Sequence, residues 1–192
     1  LRRCMTKSMK ILLGVLLLII ILFFVSQSRQ KRHFTQSSDV FTISMDKVNR
    51  FDIQKDSISI SIERIDTTWQ IAGSDSLLIQ MNRINDVEQK ILTVQRESMV
   101  SNNSKKWKTF NVDDSLGLKI TFYGYTNEKL GEAIFGRSSS EWQRCYVRMV
   151  DESEVYMTNE NVLNRLQTQP TFWGSKPPPP PKIEASDSLQ TF

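Results

Sequence analysis

The residues able to do chemistry in this 192-residue chain are few and badly placed for it. His33 is the only histidine, so a histidine-based triad or a histidine metal site lacks its parts. Cys4 and Cys145 are the only cysteines and lie too far apart for a ligand pair. Cys145 has no histidine in the body of the chain to activate it, and reads as a small core residue. Asp113-Asp114 and Asp151-Glu152 with Glu154 are the paired carboxylates. They could serve acid–base work or calcium, but a calcium loop needs alternating oxygens around a glycine, so they read as solvated turns. Gly136-Arg137-Ser138-Ser139-Ser140 lacks the lysine of a phosphate loop and reads as a hairpin loop. Asn102-Asn103-Ser104 is a formal glycosylation triplet that marks a loop. No cofactor, metal or catalytic residue is assigned on these grounds, and the expectation is a non-enzyme.

Trp69, Trp107, Trp142 and Trp173 are spread along the chain. Packing is their default role, but Trp69 and Trp142 are the two that could line a pocket for a small molecule or a glycan. Pro177, Pro178, Pro179, Pro180 and Pro181 form an unbroken run that imposes polyproline II, either a solvated spacer or a docking peptide for an aromatic groove.

Charge decides the class of partner. Residues 1–33 hold seven Lys/Arg and no acid, whereas residues 34–169 carry a net charge of −3. The basic balance belongs to the flanks of one apolar segment, not to the body, which excludes nucleic acid as the expected partner. That segment, ILLGVLLLIIILFFV, begins at Ile11 and ends at Val25. Its fifteen residues fall short of the roughly 20 of an ordinary span. Met9 and Ser26 can extend it, and Lys10 can reach the headgroups. An uncleaved membrane anchor is the favoured reading. A cleaved signal peptide, with Ser26 and Ser28 near its site, and a buried core helix are the rivals.

The elements that must position everything else follow the anchor. The expected organisation is a cytoplasmic amino end over 1–10, an anchor over 11–28, a tether over 29–39, a folded body over 40–173 and a proline-rich tail over 174–192. Phe41, Ile43 and Met45 alternate with polar residues, and residues 48–53 form a second short strand candidate. Residues 57–62 read SISISI, the cleanest two-residue period in the chain. Trp69 and Ile71 suit the next strand. Ile84, Val87, Ile91 and Val94 form one stripe of an amphipathic helix that Asn82 can cap, with Asp86 and Lys90 paired on its outer side. Strands resume with Leu118, Ile120 and Phe122, then residues 133–135, then Cys145, Val147 and Met149, then Val155 and Met157. A short helix holds Val162, Leu163 and Leu166. The expected fold is α+β: an N-terminal transmembrane helix, then one antiparallel sheet with about two packed helices.

Several stretches stand in a familiar order. Residues 110–120 read FNVDDSLGLKI; then come Ile134-Phe135-Gly136-Arg137, Tyr146-Val147-Arg148 and Glu154-Val155-Tyr156-Met157, with Trp69 and Ile71 upstream. Together they resemble the bacterial family called domain of unknown function 4340, over about residues 40–173. Lys119 stands near a place where that family often has proline. The resemblance implies a periplasmic domain behind one amino-terminal membrane segment, in some members beside an ABC transporter. It implies no catalytic residues. The functional expectation is a membrane-anchored, periplasmic accessory or scaffold protein in a cell-envelope complex of the bacterial inner membrane, with envelope proteins as partners. The alternative is an extracytoplasmic module that binds a small molecule or glycan.

Overall fold

The computed structural model describes residues 16–20, 37–74 and 76–179. Its centre is one nine-stranded antiparallel sheet. In chain order the strands are β1 (Ser38–Asp39), β2 (Arg50–Lys55), β3 (Ile58–Ile65), β4 (Thr68–Ile71), β5 (Leu78–Ile79), β6 (Gln95–Ser101), β7 (Leu118–Tyr123), β8 (Lys129–Arg137), β9 (Cys145–Met149), β10 (Val155–Thr158) and β11 (Gly174–Ser175). The spatial order is β1-β6-β10-β9-β8-β7-β2-β3-β4, with β5 and β11 pairing apart. The β2–β3–β4 and β7–β8–β9–β10 runs are each joined by short turns. Asp56, Asp66 and Asn127 take left-handed conformations in three of these turns, where Asp and Asn tolerate positive φ.

Alternation along the strands sorts the side chains onto two faces. Phe51, Ile53, Ile60, Ile62, Leu118, Ile120, Phe122, Ala133, Phe135, Cys145 and Val147 share the larger core. Three segments cover it: residues 40–49, residues 72–94 and residues 159–173. They contribute Phe41 and Val48, then Ile84, Val87 and Ile91, then Val162, Leu166 and Trp173. Aromatic rings pave this face. Phe41 meets Phe122 edge-on at 5.1 Å, and Phe51 lies 6.0 Å from Phe122 and 5.5 Å from Trp173. The opposite face carries a smaller core of Val112, Ile134, Tyr146, Val155 and Met157. Residues 102–117 cover it by crossing β10, β9 and β8 on the way from β6 to β7.

The expected α+β plan is corrected here. The described residues are mostly antiparallel sheet, and the helices among them are few and short. The stripe at 84–94 is helical only over Met81–Asp86 and a π-helical turn Val87–Ile91; Gln80, not Asn82, precedes it. Asp86 pairs with Arg83 at 4.0 Å and Lys90 with Glu160 at 3.9 Å, not with each other. The helix expected around Val162–Leu166 is a set of turns, and Pro170–Trp173 adds a single helical turn. The expected N-terminal transmembrane helix is not shown: among the described residues no helix is long and apolar enough to cross a membrane. Residues 16–20 are helical and exposed, and the rest of the apolar run lies outside the described residues.

Two strand assignments also change. Residues 41–44 are not a strand but part of the segment laid over the larger core, with a 3-10 turn at Met45–Lys47. Its alternation arises because Phe41 and Met45 insert into that core. Gly136 and Arg137 end β8, so the loop begins only at Ser138. A glycine is required there, since a Cβ at 136 would lie 2.2 Å from the Phe110 carbonyl oxygen and 2.6 Å from that of Asn111. Gly136→Ala is therefore expected to destabilise the fold by about 1–3 kcal/mol, as overpacking against backbone does. Chemical denaturation of the variant beside the parent protein measures it; an unchanged midpoint would show that the crossover can yield.

Candidate functional site

The smaller core is organised by a charge. Arg148, the next-to-last residue of β9, is only 2% exposed. Its Nε donates to the Val112 carbonyl at 3.0 Å, and Nη1 donates to the carbonyls of Met149 and Val150 at 3.4 and 3.3 Å. Nη2 pairs with Asp114 at 3.5 Å, and the guanidinium lies 3.8 Å over the Trp107 ring. Burial pulls this guanidinium below the ordinary arginine range, while Asp114, Asp113 and Glu132 act in the opposite direction. These contacts to Val112 and Asp114 fasten the crossover to the sheet. The quoted stretches FNVDD and YVR are thus in contact through one side chain.

The carboxylates have structural work. Asp113 accepts from the Leu116 amide at 3.2 Å and the Ser115 hydroxyl at 2.8 Å, closing the turn before β7. Glu152 accepts from Arg96 at 2.9 Å. Asn103 caps the turn Ser104–Lys106 by accepting from the Lys105 amide at 3.0 Å. Among the described residues no group of three His, Cys, Asp or Glu side chains could hold a metal. Cys145 is buried; burial pushes its thiol up, partly offset by the Thr158 hydroxyl 3.2 Å away.

The remaining candidates separate sharply. Trp69 is 4% exposed, packed 5.7 Å from Phe51 beneath the Arg64 guanidinium, so it cannot serve as a ligand platform in this fold. Trp142 is 80% exposed. Pro177, Pro178 and Pro179 are exposed beyond β11, while Pro180 and Pro181 lie outside the described residues.

Trp142 borders a groove at the end of the sheet where β2 and β8 stop and β7 begins. One cavity, of about 410 Å³, is lined by Lys55, Asn111, Leu116, Leu118, Phe135 and Arg137 together with residues of the 163–168 turn. A second, of about 430 Å³, shares Arg137, Leu163 and Gln167 with it and adds Ser138, Trp142, Asn161 and Asn164. Two anchors hold the walls. The Asn161 amide donates to the Trp142 carbonyl at 2.8 Å, and the Asn111 amide donates to the Arg137 carbonyl at 3.2 Å. Of these residues the sequence marks Trp142 as a pocket candidate, and Arg137 and Ser138 only within the stretch 136–140 that reads as a hairpin loop. Lys55 carries no local signal beyond being a charged residue at a strand end.

The open part of the sheet's second face holds a polar ladder. Glu132, 14% exposed, meets Lys129 at 2.7 Å, Thr121 at 3.1 Å and Lys119 at 4.0 Å. Burial pushes its carboxyl up, but the bonds from Lys129 and Thr121 and the charges of Lys129 and Lys119 outweigh this and leave it below the ordinary glutamate value.

Residues 69–178, more than half of the chain, match the family model described as Domain of unknown function (DUF4340). No curated protein and no solved structure matches the chain.

Two outcomes follow from the buried charges. Arg148→Met removes the donors of one buried and two part-buried carbonyls and is expected to cost about 2 kcal/mol, with loss of the near-ultraviolet signal of Trp107. Denaturation and circular dichroism read both, and a variant as stable as the parent would reduce Arg148 to a spectator. The Glu132 carboxylate, held below its ordinary value, contributes stability that is present above the unfolded value near 4.5 and is lost as pH falls through the lower folded value. Glu132→Gln should therefore melt below the parent at pH 7, and the gap should close toward pH 3. A gap constant across that range would exclude the linkage.

Proposed function

The chain belongs to the domain of unknown function 4340 family, and on that premise we propose that it is a bacterial envelope accessory protein. It is held at the cytoplasmic membrane by the apolar run of residues 11–25, with its sheet domain on the periplasmic face, and it gathers partner proteins instead of catalysing a reaction. Attachment raises the effective concentration of the domain for anything else in the same membrane. The partners are envelope proteins, ABC-transporter components among them.

The observation that supports this reading is the outer edge of β6. β1 pairs only with Gln95 and Arg96, and β10 occupies the other side. Residues 97–101, ESMVS, have no strand partner on the outer side among the described residues. Such an edge presents a row of backbone donors and acceptors to which an extended segment can add as a further strand. Register shifts between β10 and β6 bend the strand without closing that edge. The polyproline run, exposed where it is described, offers a second contact of lower specificity.

The groove beside Trp142 favours a second reading, a ligand-binding module. The two are compatible, since the edge and the groove use different residues.

In cells, the full-length protein should stay with the membrane pellet through a carbonate wash. A photo-crosslinking residue at Ser98 should give a discrete adduct with an envelope protein identified by mass spectrometry, and Met99→Pro should abolish it. Recovery of intact protein in the soluble fraction, or no adduct from Ser98 while a control position at Thr126 gives one, would overturn this reading.

A further inference from the structure

The groove at the strand ends has a charge and chemistry of its own. Residues alternate along β2 and β8, so Lys55 shares a face with the buried Phe51 and Ile53, and Arg137 shares it with Phe135. Lys55 and Phe135 both sit opposite Leu118, on either side of β7. Two strand spacings, roughly 10 Å, therefore separate their positions. Arg137 lies two residues further along β8 and lines both cavities. Among the described residues neither Lys55 nor Arg137 has an ion-pair partner. Neither lining includes a carboxylate.

Two exposed cations lining one groove without counter-ions among the described residues favour an anionic ligand. The rest of the lining narrows its class. Leu118, Phe135 and Leu166 make an apolar floor. Asn111, Asn164 and Gln167 supply planar amides, each a donor and an acceptor at once. Ser138 and Thr168 add hydroxyls. At the far end the Trp142 indole stands 80% exposed, with its backbone tied down by Asn161. An exposed indole of this size in a pinned loop is a platform for an apolar ring face.

We propose that this groove binds an acidic oligosaccharide, with a sugar ring stacked on Trp142, hydroxyls bonded to the amides, and a carboxylate on Arg137 and Lys55. Saccharides present the needed combination: a flat C–H face, hydroxyls that both give and accept, and in the acidic members a carboxylate. A peptide fits less well. Strand ends offer no row of free backbone groups for an extended chain to join, and that row lies instead on β6. Nucleic acid is disfavoured by the net charge of −3 over residues 34–169. The proposal rests on the groove being a ligand site, not on membrane attachment or the β6 edge, so each can fail alone.

The test is titration of the full chain in mild detergent, followed by tryptophan fluorescence and by calorimetry. The probes are tetragalacturonate, a sialic acid tetramer, neutral galactotetraose and tetraglutamate. Saturable binding of an acidic saccharide is expected, at least tenfold tighter than galactotetraose and weakened by added salt. Arg137→Gln should weaken it by about tenfold or more, the scale of a hydrogen bond to a charged group. Trp142→Ala should remove the fluorescence change and weaken the calorimetric affinity. Both substitutions lie at the solvated end of the sheet, and unchanged far-ultraviolet dichroism would show that the variants are folded. No saturable binding of either acidic saccharide would overturn the proposal. Equal affinity for the neutral tetramer, a preference for tetraglutamate, or affinity unchanged in both variants would do the same.

Discussion

A guanidinium inside an apolar cluster is tolerated only if every donor it buries finds an acceptor. Arg148 meets that condition with the carbonyls of Val112, Met149 and Val150 and the carboxylate of Asp114. The condition runs in both directions. The crossover of residues 102–117 must stay seated for the charge to be satisfied, and the charge in turn keeps the crossover seated. Gly136 lets the crossover backbone approach β8 closely, and Trp107 closes the contact from above, its indole bonded to the Ser153 carbonyl at 3.0 Å. Asn111 and Leu116, carried on the same crossover, become one wall of the groove. The groove at the strand ends therefore depends on a polar contact buried on the other face of the sheet.

The two faces divide the labour. One is closed by three long segments and an aromatic pavement, and it supplies most of the burial that stabilises the fold. The other is closed only over β8, β9 and β10, leaving a hydrated ladder of Lys119, Thr121, Lys129 and Glu132. Among the described residues each face of the sheet is thus largely covered or polar. What remains are places where the sheet stops: the lateral edge at β6, which offers backbone, and the longitudinal end around Arg137, which offers side chains. The two differ in chemistry: backbone donors and acceptors at the first, cationic, amide and indole side chains at the second.

The strands that can be read directly are those whose residues alternate in type, even where, as in β9, both faces end up buried. SISISI became β3, and the runs around Leu118, Cys145 and Val155 became β7, β9 and β10. β6 was not legible because QRESMVS is half-buried along its whole length and shows no period of two. Phe41, Ile43 and Met45 misled for the opposite reason, since a segment lying across a core can also alternate. The apolar stripe at 84–94 marked a helical region but not its length, which the start of β6 at Gln95 cuts short. At the site, Trp142 could be named but not distinguished from Trp69, because an indole in a sequence does not say which side of it will be covered.

The amino-acid sequence by itself determined the exclusions and the broad layout. One histidine and two distant cysteines argue against the common metal and triad chemistries, the acidic body argues against a nucleic-acid surface, and residues quoted from 69 to 157 identify the family. These are properties of composition and order, which survive without coordinates. Only the tertiary structure decided that Arg148 is buried, that Trp69 is core and Trp142 is surface, and that Lys55, Arg137 and Gln167 meet in one groove. Periodicity assigns a side chain to a face. Whether that face is covered, and which distant strand ends coincide, depends on the order of strands across the sheet and on the path of the segments between them.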